Sequence, residues 1–184
     1  MATDTIPTPQ TLNFRDDGKF PNSQLPVLIY RQAVTQSAKS SGLAVQFENL
    51  FANHNWKNSW RNGVYDFAHY HSTSHEVLAV YDGCAILHLG GLIVGADIEV
   101  STGDVLVIPA GVAHQRVSSS SDFKVVGAYP DGREWDVLRG HPDERPMADE
   151  RIAELSVPTT DPVYGKKGPL MQLWHDAGEA SNNT

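Results

Sequence analysis

Residues 63–83 read GVYDFAHYHSTSHEVLAVYDG and residues 103–114 read GDVLVIPAGVAH. Nine positions therefore fall on one pattern: Gly63-x5-His69-x-His71-x4-Glu76-x6-Gly83, nineteen residues, then Gly103-x5-Pro109-x-Gly111-x2-His114. Side chains of an extended segment alternate between faces, so His69 and His71 point the same way. A short turn then sets Glu76 beside them at the start of the next strand. His114, just past the Pro109 and Gly111 turn, arrives from another part of the sheet. Three imidazoles and one carboxylate are borderline ligands that suit Fe, Mn, Ni, Zn, Co or Cu, and they leave one or two positions for water or substrate. No thiolate lies in the pattern, which argues against a closed structural zinc cage.

Working outward, the chain from Val64 to Tyr129 breaks into short β-rich segments at 64–71, 76–82, 84–89, 92–99, 105–108 and 123–129. Gly83, the Gly90 and Gly91 pair, Gly103 and Gly111 supply the turns. Six closely linked strands predict an all-β fold, an antiparallel jelly-roll barrel, over residues 61–130. By alternation Tyr65 and Phe67 share the face of His69 and line a substrate pocket. Arg116, two residues past His114, either joins them to grip a substrate carboxylate or stays solvated at the surface. His75 faces away from Glu76 and is a weaker candidate, for a hydrogen bond supporting a ligand or a place at the pocket mouth. His54, His88, His141 and His175 read as surface or packing residues, and Cys84 as an inert packed thiol.

Residues 1–25 are rich in Pro, Thr, Asn and Asp and read as an extended arm with little structure of its own. Residues 26–60 supply a short strand, Val27 to Tyr30, and a helix whose apolar stripe is Leu43, Phe47, Leu50 and Phe51. The strand has no evident partner in the barrel, so the arm is expected to cover a sheet edge or pair two copies. Residues 131–184 form a helical and loop extension. A helix from about Met147 to Leu155 opens after Pro146 and buries Ala148, Ile152 and Leu155. From Asp161 onward a loop carries one apolar patch, Leu170 to Trp174. The run Gly165 to Gly168 lacks the spacing of a phosphate loop and reads as a surface turn.

A length of 184 residues suits one buried core, and a formal charge of −8 with scattered basic residues disfavours nucleic acid as a partner. The N-terminus lacks a basic and apolar leader pattern, no apolar run is long enough to span a bilayer, and one cysteine precludes an internal disulfide. These features predict a cytoplasmic protein with no membrane partner.

The two halves of the pattern resemble the paired motifs of the cupin superfamily. The runs from Phe67 to Leu78 and Val126 to Pro130, with Trp60 to Gly63, are similar to YjlB-like bacterial cupins. One departure is Ser118, where the second motif commonly ends in Asn. The resemblance implies one cupin domain per chain, a bound divalent transition metal and a homodimer, and it carries no activity with it. Two functions fit the residues. One is a metal-dependent enzyme of dioxygenase or isomerase type acting on a small polar or carboxylate-bearing molecule. The alternative is a non-catalytic protein that binds or senses a sugar or other metabolite.

Overall fold

Alternation sorts the apolar side chains of this chain onto both faces of one large sheet, and that sheet organises the molecule. A computed structural model describes residues 6–34 and 40–181. In chain order the elements are β1 (Gln10–Phe14), β2 (Ser23–Tyr30), α1 (Ser40–Asn53), β3 (Trp56–Asn62), β4 (Glu76–Asp82), β5 (Cys84–Leu89), β6 (Ala96–Ser101), β7 (Val105–Ile108), β8 (His114–Ser119), β9 (Lys124–Pro130), α2 (Met147–Glu154) and α3 (Pro169–Ser181). The strands divide into a six-stranded sheet, β1-β2-β7-β4-β9-β3, and a three-stranded sheet, β6-β5-β8. Every strand pair is antiparallel. This is a jelly-roll architecture of two facing sheets.

Between the sheets, Ile29, Leu78, Leu106 and Val125 of the large sheet meet Leu87, Leu89, Ile98 and Val100 of the small one. The reverse face of the large sheet buries Leu28, Val77, Val105, Val107 and Val126 under Phe47 and Phe51 of α1 and Leu170 and Trp174 of α3. Burial on both faces explains why β2 and β7 read as unbroken apolar runs instead of an alternating pattern. The small sheet has one solvated face, and its strand β6 alternates accordingly.

Several expectations require correction. The segment 64–71 is not a strand but an irregular run that makes isolated bridges at His69 and Tyr70. The segment expected at 92–99 begins with a turn, and its strand runs over Ala96–Ser101. Strand β8 was obscured by its Ser-rich, exposed end, and β3 by the polar residues of its sequence WKNSWRN. Residues 6–25 are not merely an arm, because β1 pairs with β2 at the sheet edge, and residues 1–5 of that expectation lie outside the described residues. Strand β2, expected to lack a barrel partner, pairs with β7 inside the main sheet. In α2 Ala148 is buried and Ile152 half-buried, and Leu155, half-buried as well, caps the helix instead of lying within it. Of the tail expected as a loop from Asp161, residues 161–168 are a turn and Pro169–Ser181 is a helix. Leu170 and Trp174, spaced i and i+4, seat α3 against the sheet. Cys84 is exposed on the outer face of β5 rather than packed. Gly165 does lie in a turn, bridged to Asp161, whose carboxylate accepts the amides of Val163 and Tyr164. Among the described residues no helix is long and apolar enough to cross a membrane.

Trp174 is fully buried and its Nε1 donates to the Pro26 carbonyl at 2.9 Å. Trp174→Ala therefore opens a large void under the sheet, and urea denaturation is expected to show a loss of roughly 3–5 kcal/mol. A loss below about 1 kcal/mol would mean that α3 is peripheral.

Candidate metal centre

The two sequence motifs are tied together by their backbones before any side chain is considered. His69 and His114 exchange amide hydrogen bonds at 3.2 and 2.9 Å, and the Gly111 amide donates to the His71 carbonyl at 2.8 Å. This pairing requires the chain to pass close to Asn22. At Gly111 (φ 91°) a Cβ would stand 2.2 Å from the Asn22 carbonyl oxygen, so only glycine fits the turn that delivers His114.

The three imidazoles converge. His69, His71 and His114 are buried, and one ligating atom of each lies within 4.8 Å of the others. Each Nδ1 faces a backbone carbonyl and must donate to it: His69 to Phe67 at 3.1 Å, His114 to Val112 at 3.1 Å, and His71 to Asp136. A proton on Nδ1 leaves the Nε2 lone pair free for a metal, the arrangement that orients metal-binding histidines. Glu76 reaches in from the start of β4, with Oε2 3.2 Å from His114 Nε2 and 3.4 Å from His71 Nε2. His71 Nε2 and Glu76 Oε2 are buried with no hydrogen-bond partner. Buried polar atoms of this kind are costly unless something meets them, and a cation would meet both. The residues present fit a divalent metal.

The electrostatics agree. Burial, with His114 and His71 alongside, lowers His69 to about 3, so it stays neutral. Burial works against charge at His71, but the Glu76 carboxylate more than offsets it and raises this imidazole. Burial likewise opposes charge on Glu76, yet His71 and His114 hold its carboxyl well below the usual range.

Residues outside the motifs complete the surroundings. Tyr129 Oη donates to Glu76 Oε1 at 3.0 Å and accepts from Trp60 Nε1 at 2.8 Å. Trp60 can reach it because its partner across β3 and β9 is Gly127, where a Cβ would stand 2.3 Å from the indole. Trp135 stacks on Tyr129 at 4.4 Å and 11°. Its neighbour Asp136 gives its carbonyl to His71 and its carboxylate to the amides of Ser72 and Thr73 and the hydroxyl of Ser72. Spacing alone could not reveal these partners. The dipeptide Gly127 and Ala128 before Tyr129, facing a tryptophan on a neighbouring strand, was the available signal.

A cavity of about 240 Å³ opens onto the three imidazoles and Glu76. Tyr65 lines it and is 51% exposed. Phe67 lies outside the lining, stacked on Tyr65 at 4.8 Å and under the Arg139 guanidinium at 4.0 Å. Arg116 also lies outside it, beside Gly63 and facing the outer groove of residues 62–66. His75 is turned to the opposite side of the sheet, against Trp174 at 4.8 Å, where its Nδ1 accepts from the Ala110 amide. A larger groove of about 760 Å³ on the outer face of the small sheet, lined by Cys84, Ile86 and Glu99, gathers no ligand set among the described residues.

No protein-family model matches the sequence. The uncharacterized protein YjlB of Bacillus subtilis (strain 168) is 43% identical over 166 residues, covering 90% of this chain and 96% of that one. Among solved structures, acireductone dioxygenase from Bacillus anthracis, with a cadmium ion in its active centre, is 18% identical over 61% of this chain and 78% of that chain, with a TM-score of 0.38. The QdtA 3,4-ketoisomerase from Thermoanaerobacterium thermosaccharolyticum in complex with TDP is 18% identical over 54% and 77%, with a TM-score of 0.41.

Two outcomes are expected. Tyr129→Phe removes the donor to Glu76 Oε1 and weakens metal affinity by roughly tenfold, measured by competition with a chelator; an unchanged affinity would show that Glu76 needs no such support. Metal must displace the proton that the raised His71 retains, so affinity falls as pH drops through the range where His71 protonates, by about tenfold per unit for one proton released. A pH-independent affinity would contradict this assignment.

Proposed function

The chain belongs to the YjlB-like family of cupins, and from that membership and this geometry we propose that it is a metal-dependent enzyme of dioxygenase or isomerase type acting on a small oxygen-bearing molecule. One observation carries the reading: three buried imidazoles, each locked through Nδ1, turn their Nε2 atoms to one point at the floor of a cavity. His69, His71 and His114 hold the metal, and Glu76 supplies the fourth ligand. Fe, Mn, Co, Ni, Cu and Zn all suit this donor set. When bound, such a metal polarises substrate oxygens as a Lewis acid or, if redox-active, handles dioxygen.

The protein's own residues set the conditions for that chemistry. The Nδ1 donors fix the ring planes, so the site needs no rearrangement on binding. His71 and His114 hold Glu76 in the carboxylate form, and Tyr129 holds it in place. Trp60, Trp135, Leu78 and Val64 wall the cavity and exclude water from the reacting molecule.

A binding protein without turnover is the second reading. It is favoured by the commitment of the buried Tyr129 hydroxyl to two partners, which takes this phenol out of use as a general acid or base. Residence in the cytoplasm and assembly as a homodimer belong to the proposal. The single cysteine supports the first and the family resemblance the second.

The test is reconstitution of metal-free protein with Fe(II), Mn(II), Ni(II) and Zn(II) in turn, followed by assay on diketones, hydroxy acids and sugars. Turnover of at least one class is expected, falling by more than about a hundredfold in His114→Ala, beyond the loss typical for a residue that merely supports a ligand. A compound that raises the melting temperature of the loaded protein yet is recovered unchanged would favour the binding protein instead.

A further inference from the structure

The cavity wall has a composition that selects among oxygen-bearing molecules. Beside the imidazoles and Glu76, the cavity is lined by the rings of Trp60, Tyr65, Tyr129 and Trp135 and by Leu78 and Val64. Such a surface suits a flat ring, which gains contact on its faces at little entropic cost to the stiff aromatic side chains. The polar lining is equally informative. Among the described residues no lysine lines the cavity, and the one arginine there, Arg61, is turned to α1. Its guanidinium is clamped by both carboxylate oxygens of Glu48 at 2.6 and 2.7 Å. Arg116 stands beyond Gly63, outside the lining, and Arg139 lies over the far side of Phe67. Three neutral imidazoles, one carboxylate and a divalent ion sum to a single positive charge. One anionic oxygen on the ligand neutralises it, and a second anionic group would lose its hydration with no cation to meet it.

We infer that this site selects a small planar ring bearing two adjacent oxygens, with no charge beyond those that meet the metal, and that Tyr65 and Trp135 determine the preference for the ring. The inference rests on the metal site of the proposed function and narrows it, because it turns away from the carboxylate-bearing substrates that an inward Arg116 would have served.

Kojic acid and comenic acid test this directly. Both are hydroxypyranones with the same hydroxyl and ketone pair, and they differ in carrying a hydroxymethyl group or a carboxylate at one ring position. Each is titrated calorimetrically into the Zn(II)-loaded full chain, whose metal content is measured separately by elemental analysis. Kojic acid is expected to bind at least about tenfold more tightly than comenic acid, since the added carboxylate is desolvated without a partner. Tyr65→Ala, at an exposed position that leaves the core intact, and Trp135→Ala are each expected to weaken kojic acid by about fivefold with metal content unchanged. Comenic acid binding as tightly as kojic acid, neither compound binding, or both variants behaving as the parent would overturn the inference while leaving the metal site standing. A protein that takes up no stoichiometric metal would instead remove the reading beneath it, and this inference with it.

Discussion

A carboxylate oxygen buried between two imidazole nitrogens is the constraint around which the rest of this structure is arranged. Glu76 Oε2 has no hydrogen-bond donor, although it lies within 3.4 Å of His71 and His114. An ionised group removed from water costs several kcal/mol unless a counter-charge compensates it. Without a metal, the proton retained by His71 plays that part; a bound cation would take it over. The backbone pairing of His69 with His114 and the glycine turn at Gly111 hold the imidazoles at the distance this exchange requires.

The support around the centre is also part of the binding wall. Gly127 lets Trp60 lie flat, Trp60 fixes the hydroxyl of Tyr129, and Tyr129 fixes Glu76. From the other side, the segment carrying Trp135 gives the Asp136 carbonyl to His71 and ties Asp136 to Ser72 and Thr73. A molecule resting on Trp60 or Trp135 thus touches residues that orient the ligands.

The candidate ligands were legible in the sequence because their geometry is local: residues two apart in an extended segment share a face, and glycines mark the turns. His69 and His71 share a face even though the segment around them is irregular, since their alternation survives without a regular ladder. The reading of α1 also matched its limits, because an amphipathic stripe records burial on one side only. What remained hidden depended on contacts remote in sequence. Strand β3 is polar on its exposed positions and is held by β9 across more than sixty residues of chain, as the Trp60 to Tyr129 bond illustrates (69 residues apart). Helix α3 was obscured because its stripe consists mainly of Leu170 and Trp174, too few residues to distinguish a helix from an apolar patch. Arg116 pairs with the inward Leu87, yet its long side chain extends past Gly63 to the rim. Parity fixes the direction of Cβ, not the destination of a guanidinium.

X-ray absorption at the metal edge of protein loaded with one divalent ion tests the central claim most directly. The account predicts a shell of three imidazole nitrogens and one carboxylate oxygen at about 2.0–2.2 Å, with the multiple scattering of rigid imidazole rings. A sulfur scatterer, or fewer than three imidazoles in the shell, would contradict it.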